Sequence, residues 1–261
     1  MHSLVIALRL VIIMLSLALS LAYYGSINLI ASLVSRSLNI RINRFITDHA
    51  PRRIFALLST YMGFTVQLDR SAITSLPENY LLVCNHQSLL DIPLLMYFLG
   101  GKRLRFVAKK ELGKHVPCVS RVLRTDGHCL VARTGSPSRA MREMDRFMLR
   151  VQKNNFIPVI FPEGTRSKNG ELGTFHLAGF RRLLDQFPQP VVFCAIDGGW
   201  RTSSLGGLLR DLRDGFYRVR IVFVASAPRT KEEQIRVMEA GKEHIRKQLV
   251  SWRLMDTVVH T

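Results

Sequence analysis

Cysteine is scarce and scattered. The chain has four, Cys84, Cys118, Cys129 and Cys194, and no two of them form a CxxC pair. That excludes a disulfide framework; three of them stand in apolar or β-like runs and read as reduced, buried thiols. Phosphate-cradling glycine loops are also missing, because no GxGxxG or GxxxxGK spacing occurs. A GxSxG elbow is absent, so no serine is marked as a covalent nucleophile. Negative charge is in short supply: 19 acidic residues face 37 lysines and arginines, for a formal charge of +18. Such a surplus calls for an anionic partner surface, nucleic acid or lipid. No base-reading or aromatic-interleaved basic module accompanies it, which argues against nucleic acid.

One stretch lacks charge altogether. Between Arg9 and Arg36 the 26 residues from Leu10 to Ser35, "LVIIMLSLALSLAYYGSINLIASLVS", carry none. Such a run is long enough to cross about 30 Å of hydrocarbon with some tilt. A cleaved signal peptide fits poorly, with one arginine ahead of the run and only a loose cleavage site in "ALSLAYYG". Residues 1–36 are therefore expected to form a transmembrane or membrane-embedded helix, single-pass or monotopic. Arg36, Arg41, Arg44, Arg52 and Arg53 follow the run, so the bulk of the protein is expected on the cytoplasmic side. Residues 37–75 read as a membrane-proximal helical segment, in which the apolar stretch 53–69 suits either the interface or the core.

From residue 76 onward, short apolar strands alternate with helical patterns, which says α/β. "NYLLVCN" and "FIPVIFPEG" read as buried strands that stop at polar turns, and "PVVFCAI" as a third. "YRVRIVFVASA" reads as a strand pair or one long edge strand. "SPSRAMREMDRFMLRVQ" is amphipathic, with Ser136 or Ser138 as cap. The basic C-terminal helical pattern carries a candidate break at Gly241. Asp126, His128 and His115 are scattered among polar turns and form no metal motif.

Two polar stretches stand out against this pattern. In "LLVCNHQSLLD", His86 ends an apolar strand and Asp91 follows five residues later. Imidazole is the side chain best poised to take a proton near neutral pH, and a carboxylate on its other nitrogen would fix the tautomer. On a continuous helix five residues advance about 500°, so the two side chains would diverge by roughly 140°. Pairing therefore needs a bend, which a strand end supplies, and ligand sites in open α/β sheets favour such ends. The same residues also suit a plain polar strand end with Asp91 as helix cap. In "FPEGTRSKNG", Gly164 permits a tight turn with exposed N–H groups, and Arg166 and Lys168 supply positive charge for an oxyanion. Glu163 would hold Arg166 or accept from a polyol hydroxyl; a charged surface turn is the plainer alternative.

Together, "NHQSLLD" and "FPEGTRS" resemble the NHxxxxD and PEGTR motifs of the lysophosphatidic acid acyltransferases, the 1-acyl-glycerol-3-phosphate acyltransferase group of glycerolipid acyltransferases. "AKKEL" with "VP" at 116–117, and Arg133 in "CLVAR", resemble the stretch between them. The resemblance covers roughly residues 78–200. It implies a mixed central sheet flanked by helices and an acyltransferase domain over 76–261. It implies transfer of a fatty acyl group from a thioester, acyl-CoA or acyl carrier protein, to the hydroxyl of lysophosphatidic acid, giving phosphatidic acid, with no cofactor. His86 would then be the general base and Asp91 its orienting carboxylate. Glu163, Gly164, Thr165 and Arg166 would bind the acceptor, with Arg133 and Lys109 or Lys110 as further head contacts. Anionic membrane phospholipids are the expected surroundings. An acyltransferase for another lysophospholipid or for glycerol-3-phosphate, and a catalytically inactive membrane adaptor, are the alternatives.

Overall fold

A computed structural model describes residues 2–111, 113, 119–132, 136–202, 213 and 215–259. The chain opens with two long helices, α1 (His2–Val34) and α2 (Arg36–Met62). They pack against each other as an antiparallel hairpin. Ser35 makes the corner: its hydroxyl accepts the Leu38 N–H at 3.1 Å and caps α2. Gly63 ends α2 in a left-handed conformation, φ 66°, and sends its N–H back to the Leu58 and Ser59 carbonyls. The helical reading of residues 37–75 therefore stops at Met62. Thr65–Asp69 form β1, a strand of the main sheet.

The remaining elements are β2 (Leu81–Cys84), α3 (Asp91–Leu99), β3 (Leu104–Lys109), α4 (Val119–Thr125), β4 (Cys129–Val131), α5 (Pro137–Asn154), β5 (Ile157–Ile160), α6 (Leu177–Gln186), β6 (Val191–Asp197), β7 (Phe216–Ala225) and α7 (Lys231–Val259). The seven strands lie in the order β1-β7-β6-β2-β5-β3-β4. The pairs β6–β2, β2–β5, β5–β3 and β3–β4 are parallel, whereas β7 runs antiparallel to β6, and β1 parallel to β7. The result is the mixed, helix-flanked α/β sheet. Thus β7 is not an edge strand: β1 covers it, having come from a segment whose fate was open in the sequence.

Alternation along the strands divides the core. Leu82, Cys84, Phe106, Val159, Val192, Cys194 and Ile196 face α2 and α3 with Phe55, Leu58, Leu94 and Leu95. Leu81, Val83, Ile160, Val191, Phe193 and Ala195 face the opposite layer, Phe147, Met148 and Val151 of α5, Phe180 and Leu183 of α6, and Ile245 and Leu249 of α7. Every residue of β2, β5 and β6 is buried, as parallel strands covered on both faces require. Cys84, Cys129 and Cys194 are free and buried; Cys118 lies outside the described residues.

α1 joins this body along one side only. Ile13 is fully buried, while Val11, Leu15, Leu19, Ile30, Leu33 and Val34 are exposed. Its segment Val11–Val34 is long and apolar enough to cross a membrane, with mean hydropathy 1.6 and only 17% buried. A buried amide network fixes how the hairpin sits. Asn28 donates to Asn43, and Asn43 Nδ2 reaches Asn39 Oδ1 at 3.3 Å and Thr125 Oγ1 of α4 at 3.0 Å. Such side chains have no good partner in a shifted register.

Asp126 and His128, far from being exposed in turns, are buried against Arg105. Arg105 pairs with Asp126 at 3.2 Å. Burial pushes the Asp126 carboxyl up to about 6 and the His128 imidazole down to about 3. His128 therefore stays neutral, and its Nδ1 accepts the Phe106 N–H at 3.0 Å.

α7 runs unbroken through Gly241, for a packing reason. A Cβ at Gly241 would stand 2.2 Å from the Phe193 ring, so the glycine lets the helix lie close on the sheet. Gly241→Ala gains about 1 kcal/mol of helix propensity but overpacks the core, which costs about 1–3 kcal/mol. With a contact this short the overpacking dominates, and thermal unfolding in detergent should show a lower midpoint; a raised midpoint would contradict the packing account.

Candidate active site

Parallel strands bring their C-terminal ends to one edge. β2 delivers Asn85 and His86, β5 delivers Phe161 to Arg166, and β6 ends at Asp197. Because β7 is antiparallel to β6, its first residues, Phe216 and Tyr217, start at that same edge. Lys109 closes β3 there, exposed, two strands from β2, with Lys110 beside it.

Asn85 extends the sheet by one side chain beyond the strand. Its Nδ2 donates to the Ile196 carbonyl and its Oδ1 accepts the Ile196 N–H, both at 2.8 Å. A side-chain amide thus stands in for a peptide group, and the chain is free to turn at His86.

The turn closes around a carboxylate. Asp91 is the first residue of α3, but it does not cap that helix; the cap position is Leu90, which makes no side-chain cap bond. Instead Asp91 reaches backward. Its Oδ2 takes the Gln87 N–H at 2.6 Å, the Ser88 N–H at 2.8 Å and His86 Nδ1 at 2.8 Å. Its Oδ1 accepts the Tyr217 hydroxyl at 2.9 Å. The Asp91 side chain is fully buried and the His86 ring is 16% exposed. The ring also stacks on Phe161, centroids 4.3 Å apart and planes 19° apart. With Nδ1 facing a carboxylate, Nδ1 carries the proton and the basic lone pair falls on Nε2. A carboxylate gathering the turn's N–H groups is what allows residues 86 and 91 to meet at that spacing.

A second buried carboxylate joins the two motifs. Glu163 Oε1 accepts the backbone N–H of His86 at 2.8 Å, and its Oε2 accepts that of Gly173, also at 2.8 Å. Gly173 leaves the space: a Cβ there would stand 2.8 Å from Oε2. Burial raises the Glu163 carboxyl above its ordinary range, opposed by these N–H bonds from His86 and Gly173. The Ser167 N–H in turn donates to the His86 carbonyl at 2.8 Å. Both backbone groups of His86 are thus held by the loop after β5. Gly164 begins that loop at φ 63°, with its N–H on the Phe161 carbonyl at 3.0 Å. Thr165, Arg166 and Lys168 are exposed on it. The far side of the loop is clamped by α7, where Arg253 bonds Glu171 Oε1 and the Gly170 carbonyl, each at 2.6 Å.

Of the residues singled out from sequence, His86, Asp91, Glu163, Gly164, Thr165, Arg166, Lys109 and Lys110 all lie at this edge. Arg133, with His115 and the "VP" pair, lies outside the described residues. Tyr217 and Asn85 were missed. Nothing local marks Tyr217, a strand tyrosine 126 residues from its partner; Asn85 had a signal, the motif asparagine directly before His86.

The acyltransferase family model matches residues 67–197. The 1-acyl-sn-glycerol-3-phosphate acyltransferase of Cocos nucifera is 32% identical over 152 residues, 57% of this chain and 47% of that protein. That of Saccharomyces cerevisiae is 30% identical over 181 residues, 66% of this chain and 55% of that protein. The chain spans about half the length of the curated relatives it matches. Among solved structures, the 1-acyl-sn-glycerophosphate (LPA) acyltransferase PlsC from Thermotoga maritima shares the fold. Its TM-score is 0.68 at 22% identity, with 97% of this chain and 98% of that one covered. With the family match running from β1 to the end of β6 and both polar motifs at one sheet edge, the chain belongs to the acyltransferase family.

Proposed function

We propose that the protein transfers a fatty acyl group from a thioester, acyl-CoA or acyl carrier protein, to the free hydroxyl of lysophosphatidic acid, giving phosphatidic acid. The observation that carries this reading is the His86 Nδ1–Asp91 contact of 2.8 Å, which leaves Nε2 as the base. The sequence carries no GxSxG elbow to strain a serine into a nucleophile, so the chemistry is read as direct attack by the acceptor. His86 Nε2 takes the hydroxyl proton as the lipid oxygen attacks the thioester carbonyl, and Asp91 stabilises the imidazolium that forms. The tetrahedral intermediate then collapses, the C–S bond breaks, and the imidazolium returns the proton to the departing thiolate. Arg166, with Thr165 and the Gly164 backbone, receives the acceptor's phosphate, and Lys109, Lys110 and Arg133 add positive charge around it. Glu163 serves the same site by holding the His86 backbone against that loop.

The surroundings suit lipid substrates. An apolar cavity of about 200 Å³ lies between α1 and α2, lined by Leu17, Leu21, Ile54 and Leu58 among others, and borders Leu90, the neighbour of Asp91. The exposed apolar side of α1 would seat the hairpin in the bilayer, single-pass or monotopic, with the sheet on the cytoplasmic side. The arginines that follow α1 would meet anionic headgroups there, at about 1 kcal/mol for each well-placed cation.

The decisive assay uses purified protein in detergent with a panel of lysophospholipids and glycerol-3-phosphate, each with acyl-CoA and acyl carrier protein donors. His86→Ala should lower kcat by roughly 10²–10⁴-fold while lipid binding persists; parental activity in that variant rules the base assignment out. Arg166→Ala should raise KM for lysophosphatidic acid by roughly 10–100-fold, the worth of a charged hydrogen bond. An unchanged KM would move the phosphate elsewhere. Glu163→Gln sets an amide NH2 against a backbone N–H and displaces His86. It should cost roughly 10²-fold in kcat, as small misplacements do, and full activity there would show that the carboxylate bridge is dispensable.

A further inference from the structure

The Asp91 carboxylate has a donor that neither motif supplies. Tyr217 enters from β7, is fully buried, and gives its hydroxyl to Asp91 Oδ1 at 2.9 Å, the oxygen opposite the one that holds His86. The ring is fixed before any substrate arrives. Phe55 of α2 meets it edge-on, centroids 6.1 Å apart at 87°, and Phe64 packs at 5.9 Å. Gly199 makes room for the hydroxyl, since a Cβ there would fall 2.2 Å from the Tyr217 oxygen. Three elements therefore cooperate to hold one phenol on one carboxylate.

Resting on the reading of His86 as base, we propose that Tyr217 is a positioning residue that sets the proton affinity of His86 through Asp91. A donor on Oδ1 draws electron density from the carboxylate, so Oδ2 attracts the imidazolium less strongly. The phenol thereby keeps His86 unprotonated to lower pH than the bare pair would, and it holds the carboxylate plane in which Nδ1 is oriented. Other ionisable groups also surround this cluster. They are Glu163 on the His86 N–H, Asp197 reached through Gln87, Cys84 at the end of β2 with Cys194 of β6 paired beside it, and Arg166 on the adjoining loop.

The test is a titration of His86 in the full chain in detergent micelles, by NMR of ring-labelled histidine. The His86 signal is the one missing in His86→Gln. Tyr217→Phe should raise the midpoint by about half a pH unit, a fraction of what a hydrogen bond to a charged group is worth. The acid limb of the acyl-transfer pH profile should move the same way. Site-specific fluorotyrosine at 217 keeps the shape and strengthens the donor, so the midpoint should fall. It also carries the test if the phenylalanine variant does not fold. Midpoints that stay put, or move together in one direction, would overturn the proposal. The titration needs no substrate. Absence of acyl transfer, or full activity without His86, sinks the functional reading alone, whereas unmoved midpoints sink the Tyr217 coupling and leave acyl transfer standing.

Discussion

A negative charge placed where water cannot reach it governs this fold's working edge. Asp91 sits fully buried at the start of α3, and a buried carboxylate is tolerable only when donors surround it. Four do: two backbone N–H groups of the turn, the His86 ring and the Tyr217 hydroxyl. The need for those donors bends residues 86–90 into a loop instead of letting α3 begin one turn earlier. The same need presents the imidazole with its tautomer settled. The meeting of His86 with Asp91 is thus the solution to a solvation problem.

Glu163 repeats the device one strand away. Its two oxygens accept from His86 and Gly173, so the loops after β2 and β5 close on each other. Parallel pairing of β2 with β5 puts those loops side by side in the first place. The far side of the second loop is held by Arg253 of α7, a contact between residues 82 positions apart in the chain. The exposed basic side chains of that loop therefore project from a frame held on both sides.

The hairpin α1–α2 is more than an apolar attachment. Its outer face is exposed and hydrophobic, yet Ile13 and Phe55 belong to the main core, and Asn43 links it to α4. Phe55 touches the Tyr217 ring, which touches Asp91. The helices that would meet lipid and the carboxylate that orients the His86 ring are thus two contacts apart, through rigid aromatic packing.

Local signals were enough for much of this. Apolar runs stopped by polar turns marked β2, β5 and β6, because strands buried on both faces must be apolar throughout. A charge-free run marked α1, and the residue types and spacing of His86–Asp91 and Glu163–Arg166 marked the site. What no local pattern carried was the pairing of distant segments. β1 is a short strand inside a stretch that also suits a helix, and only β7 beside it makes it a strand. Gly241 reads as a breaker, and only Phe193 beneath it turns it into a packing residue. Tyr217 is an ordinary strand tyrosine until the antiparallel run of β7 brings its hydroxyl to Asp91. Composition, periodicity and motif are properties of neighbours in the chain, so the sequence alone determined the buried strands β2, β5 and β6, the apolar helix and the chemical groups of the site. Which oxygen receives which proton depends on strand order and direction, and only the tertiary structure decided that.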